Sequence, residues 1–148
     1  MPRPKPGDYA PFYENYVCNT KGDDVLMVLN TSWDQLGLWL GEIVEEKLGY
    51  TYAPGKWTLA QVLQHLIDAE RVFAFRAMSI ARGEKQPLPG FDENAYAEMA
   101  TASHRTMASL KIELLALRNA TIALFNSFEK KDLSRSGIAF GQRVTVNA

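Results

Sequence analysis

The spacing of apolar residues constrains this chain most: through three long stretches they recur at three- and four-residue steps. At roughly 100° per residue, that spacing lines one side of an α-helix and leaves the other wet. Three such helices bury their stripes only against one another, so the residues predict an all-α bundle. The first stripe runs Val25, Leu26, Leu29, Trp33, Leu36, Leu40, Ile43 and Val44, with Glu42, Glu45, Glu46 and Lys47 on its wet side. Asp23 or Asp24 is placed to cap it, and Gly49 to end it.

The second stretch opens on Thr58, followed three residues later by Gln61, which is a capping-box pattern. Its helix is predicted over 59–82 with Gly83 as the stop. Leu59, Val62, Leu63, Leu66, Ile67, Phe73, Ala74, Ala77 and Ile80 form its stripe, while Val72, Phe75 and Met78 lie off it. A helix greasy on more than one side belongs at the centre of a bundle. The third stretch starts near Ser103 and carries Met107, Leu110, Leu114, Leu117, Thr121, Leu124, Phe125 and Phe128. Shorter helices are predicted over 11–18, with Phe12, Tyr13, Tyr16 and Val17 turned inward, and through Met99 behind an Asp92 cap. Pro87, Pro89 and Gly90 keep 84–91 from being helical throughout.

The two ends read differently. Residues 1–8 are a Pro-rich lead-in expected to be loosely held. Residues 137–148 read as a linker running into the first turn of another helix, with Thr145 as its cap. Three amphipathic helices without a fourth leave apolar surface uncovered, so a partner chain or a further C-terminal helix is expected to complete the bundle.

At 148 residues the chain, 1–148, suits one domain with one sizeable core. Sixteen Lys and Arg against seventeen Asp and Glu leave a formal charge of -1, no footprint for nucleic acid or an anionic membrane. No apolar run approaches the roughly 20 residues of a membrane span, and the opening Met-Pro-Arg-Pro-Lys-Pro-Gly is no signal peptide. A single cysteine, Cys18, rules out an internal disulfide and any multi-cysteine metal site. The expected address is the cytoplasm.

Two residues stand out for chemistry. His65 lies inside the second helix, about 120° from the centre of the stripe, on a flank shared with Gln61, Asp68, Val72 and Arg76. An imidazole there could ligate a metal, but a catalytic site takes three protein ligands, and no HxxxH or HExxH exists in the chain. The other histidine, His104, is expected at an exposed helix start. Glu70 falls on the stripe itself, where a carboxylate must be paired or protonated. It is either a catalytic acid, an orienter of a metal ligand, or the partner of an arginine: Arg71, Arg76 or one on another helix. Cys18 is expected as a buried spectator, and Trp33, Trp39 and Trp57 as core.

The stretch Tyr50-Thr-Tyr-Ala-Pro-Gly-Lys-Trp-Thr-Leu-Ala-Gln-Val-Leu-Gln-His-Leu-Ile-Asp-Ala-Glu-Arg71 closely resembles the start of the second helix in DinB-like (YfiT-like) proteins. Ala81-Arg-Gly-Glu-Lys-Gln-Pro-Leu-Pro-Gly-Phe-Asp-Glu-Asn-Ala-Tyr96 resembles the loop that follows. The resemblance implies an up-down-down-up four-helix bundle, often a homodimer, holding a divalent metal, nickel or zinc, on three histidines. His65 matches the first of them. The other two belong to an HxxxH pair on the fourth helix, of which Val144-Thr-Val-Asn-Ala148 resembles only the opening.

The function so implied is a metal-dependent enzyme of the bacillithiol- or mycothiol-type S-transferase kind, or a hydrolase, acting on a low-molecular-weight thiol or another small molecule. The alternative is a non-catalytic, dimerising helical module whose metal site is incomplete or lost.

Overall fold

The computed structural model describes residues 2–148. After a 3-10 turn at Pro11–Tyr13 come α1 (Glu14–Asn19) and α2 (Val25–Glu42), then α3 (Leu59–Ala81) and α4 (Glu93–Met99). α5 (Met107–Asn126) and α6 (Lys130–Leu133) follow, and strands β1 (Ser136–Ala139) and β2 (Gln142–Thr145) close the chain. The architecture is a helical bundle: α5 packs against both α2 and α3, and α4 lies on α3.

The helix starts are where the side chains can satisfy free N–H groups. Thr58 accepts from the Gln61 N–H and Gln61 accepts from the Thr58 N–H, so both halves of the capping box form. Asp24, not Asp23, caps α2 by accepting from Met27, and Asp92 caps α4 through Asn94 and Ala95. Past α3, Gly83 takes φ +86°, a left-handed conformation glycine adopts without strain.

The core has two parts. Leu40, Leu48, Leu63, Ile67, Leu110 and Leu114 fill the space among α2, α3 and α5. Ala77, Ile80, Leu88, Phe128, Leu133 and Val146 form a second cluster at the far end of α3. α3 is common to both, which is why its sequence is apolar on more than one side.

Several sequence expectations change. α2 ends at Glu42, not at Gly49, because Ile43 turns extended and Glu45–Lys47 becomes a 3-10 turn. That turn buries Leu48 and lets Glu45 accept from the Met107 N–H at 2.9 Å, at the start of α5. α5 accordingly begins at Met107 behind a Thr106 cap, and Ser103 and His104 belong to a separate 3-10 turn. Phe12, Tyr16 and Trp39 are exposed instead of turned inward. The Phe12, Tyr13 and Tyr16 rings pack on one another at the surface.

The two ends also depart from expectation. Residues 137–148 hold no helical turn: Ser136–Ala139 pairs antiparallel with Gln142–Thr145 as a hairpin. Phe140 and Gly141 both take positive φ, +51° and +71°, as the tight turns of two-residue hairpins require. The β-branched alternation of Val144, Thr145 and Val146 favours that outcome over a helix. Leu88 donates to Ile138 and accepts from Phe140, tying the hairpin to the loop after α3. The lead-in is not loose either. Pro2 bridges to Asp24, Arg3 donates to the carbonyls of Val17, Thr20 and Gly22, and Thr145 donates to Asp8.

Candidate functional site

His65 sits on the side of α3 away from the bundle interior, where Leu63 and Ile67 point. The 83–104 segment folds back over that side through α4 and the Ala102–His104 turn, both packed on α3. The imidazole is half-buried between two rings, Trp57 at 4.9 Å and Phe91 at 6.4 Å between centroids, the latter nearly parallel. Neither ring nitrogen has a hydrogen-bond partner among the described residues, so both remain available to a ligand. The ring therefore lies at a seam of the fold.

Its nearest polar neighbours on α3 are engaged elsewhere. Gln61, besides its cap, donates to the Ala97 carbonyl and pins α4. Gln64 donates to Asp68 and accepts from Arg105. Glu113 takes both Arg71 and Arg105, and Arg71 also faces Asp68. Desolvation pushes the Glu113 carboxyl up, but the two guanidiniums more than offset it and hold the group below its usual value. This network laces α3 to α5 along one seam.

Glu70 is the partner of an arginine on another helix. Arg118 of α5 grips it with two charge-assisted bonds, both at 2.9 Å, and reaches on to Leu29 and Ser32 of α2. The Glu70 charge is met in this way, by an arginine of another helix. Cys18 is exposed, not buried, and its thiol donates to Glu14 at 3.2 Å. That bond, desolvation and the carboxylate charge raise the thiol pKa, the opposite of what a nucleophile needs. His104 is exposed, as expected.

The residues present do not complete a three-imidazole centre. Among the described residues no group of three or more His, Cys, Asp or Glu side chains could hold a metal ion. The ring contacts of His65 are with Trp57 and Phe91.

Beside His65, and sharing Phe91 with it, is a cavity of about 250 Å3 between the second half of α3 and the loop running into α4. Helical spacing puts Arg76 on the flank of His65 and within reach of Glu70, but nothing in it tells that the Pro-rich loop folds over Arg76. Arg76 is 7 % exposed, donates to the Pro89 carbonyl at 2.8 Å, and lies over the Phe73 ring.

The architecture defines a helical bundle of the kind seen in YfiT from Bacillus subtilis, described as a probable metal-dependent hydrolase with an unusual four-helix bundle topology. The two align with a TM-score of 0.72 at 20% identity, over 82% of this chain and 71% of that one. The sequence model of the DinB superfamily matches residues 29–147, and this chain belongs to that superfamily. No curated protein matches the sequence. No helix among the described residues is long and apolar enough to cross a membrane.

Proposed function

We propose that this chain is the scaffold of a metal-dependent enzyme acting on a small molecule, with His65 supplying one imidazole to the metal. The observation that carries the reading is the His65 ring itself, half-buried between Trp57 and Phe91 with no hydrogen bond to either nitrogen among the described residues. A ring held by aromatic neighbours is oriented without using up its ligating atoms. Membership in the DinB superfamily and the likeness to YfiT support a metal centre in general terms. His65 alone does not make the centre, since three protein ligands are the usual complement of catalytic zinc.

Nickel or zinc is the proposed metal, and a low-molecular-weight thiol or a hydrolysable small molecule the proposed substrate. The protein works in the cytoplasm as a homodimer. The test is metal analysis of the whole gene product by mass spectrometry: about one divalent ion per chain is expected from a single three-ligand site, and its loss in His65→Ala. A metal content unaltered by that substitution would end the proposal.

A second reading is favoured by a different observation. Leu66 and Phe73, seven residues apart on one side of α3, both stand exposed. Such a row suits a second copy of the chain, and a dimerising module needs no metal. On this reading Phe73→Glu yields monomers in sedimentation, and His65→Ala changes neither metal content nor assembly.

A further inference from the structure

A guanidinium withdrawn from water has to be neutralised, and Arg76 is not. It is 7 % exposed, and its Nε is buried without a hydrogen-bond partner. Its one polar contact among the described residues is the uncharged Pro89 carbonyl at 2.8 Å. Among the described residues no carboxylate pairs with it. An ion buried without a counter-charge is costly, and cation–π contact with Phe73, 5.5 Å away, offsets little of that cost.

Arg76 lines the cavity between α3 and the 88–96 loop. The one other charged residue on its wall is Arg71, whose charge is met by Glu113 and Asp68. The rest of the lining is apolar or aromatic, including Val72, Phe75, Leu88 and Phe91. A site with one unmet positive charge and greasy walls selects a ligand with one negative charge and a greasy body. At about 250 Å3 it is smaller than the usual range for drug-sized ligands.

We propose that this cavity binds a small monocarboxylate, its carboxylate on Arg76 and its apolar body against Val72, Phe75 and Phe91. A carboxylate is a planar, singly charged acceptor, and a charge-assisted bond to it would meet the guanidinium's charge. A phosphate dianion would bring more charge than one unmet guanidinium neutralises. The inference is independent of the metal reading, because it uses no atom of His65 and the binding is measured on dialysed, metal-free protein.

Benzoate serves as the probe, with benzamide as its uncharged counterpart and inorganic phosphate as the competing anion. Titration followed by nuclear magnetic resonance should show saturable benzoate binding that moves the Arg76 Nε–H signal and the amides of Val72 and Phe91. Benzamide should bind about tenfold more weakly or worse, and Arg76→Gln should lose about tenfold for benzoate while leaving benzamide unchanged. Should Arg76→Gln fail to fold, Val72→Trp, which fills the cavity and keeps the arginine, must abolish benzoate binding. Equal affinity for benzoate and benzamide, tighter binding of phosphate, or no saturable binding because a carboxylate from a second copy already covers Arg76 would each overturn the proposal.

Discussion

Arg118 of α5 holds Glu70 of α3 by two parallel bonds, Nε to Oε1 and Nη2 to Oε2, each 2.9 Å long. The same guanidinium donates to the Leu29 carbonyl and the Ser32 hydroxyl, so one side chain ties three helices together. The two partners lose unequally when the pair is broken. Removing Glu70 leaves Arg118 with two acceptors on α2, whereas removing Arg118 strands a mostly buried carboxylate. Arg118→Ala is therefore expected to cost about 2–3 kcal/mol in urea unfolding, and Glu70→Gln clearly less. Equal losses would mean that the α2 contacts do not hold Arg118 in place.

How much of this was legible in the sequence depended on the distance over which each signal acts. The capping box at Thr58 and Gln61, the stop at Gly83 and the Asp92 cap are local, and the structure realises each of them. The stripe position of Glu70 already required a partner, but which arginine supplied it depended on the crossing of α3 and α5. The hairpin at 136–145 is not legible in the sequence, because Val144, Thr145 and Val146 are too few to separate a strand from a helix start by periodicity. The left-handed Phe140 also hides its turn, since that conformation is ordinarily the place of Asn or Gly. His65 stands out in the sequence, but its ring partner Phe91 and the burial of Arg76 come from a loop folding back, which no spacing encodes.

The start of α3 should be sensitive to its cap. Thr58 and Gln61 satisfy two N–H groups that would otherwise face the end of the helix dipole unpaired. Thr58→Ala is expected to lower stability by about 1 kcal/mol, and Thr58→Ser to restore most of it. Thermal unfolding followed by circular dichroism measures both. A Thr58→Ala protein as stable as the parent would show that the tertiary contacts of α3, not its cap, fix where it begins.

Acid should loosen the α3–α5 seam through Glu113. Its folded pKa lies below the ordinary 4.5, so on acidification the unfolded chain takes up the proton first. The stability this carboxylate contributes is whole above 4.5 and is lost as pH falls from there through its lower folded value. Urea midpoints measured between neutral pH and that acid range should converge for the parent and Glu113→Gln. If the gap between them stays constant with pH, the ion pairs with Arg71 and Arg105 contribute nothing that titrates.

The seat of the hairpin on α3 rests on the absence of a side chain at Gly137. A Cβ built there would lie 2.8 Å from Cγ1 of Ile80, which is buried in the second core cluster and cannot swing into solvent. Gly137 faces Val144 across the hairpin, so displacing it would also pull on the strand that carries Val144 and the buried Thr145. Gly137→Ala should accordingly destabilise the protein by about 1–3 kcal/mol, the usual cost of overpacking. A side chain without γ carbons at position 80 should relieve the clash: Ile80→Ala combined with Gly137→Ala should lose less than the sum of the two single changes. A double variant that loses the full sum in urea unfolding would mean that the hairpin moves off α3 as a unit instead of pressing on Ile80.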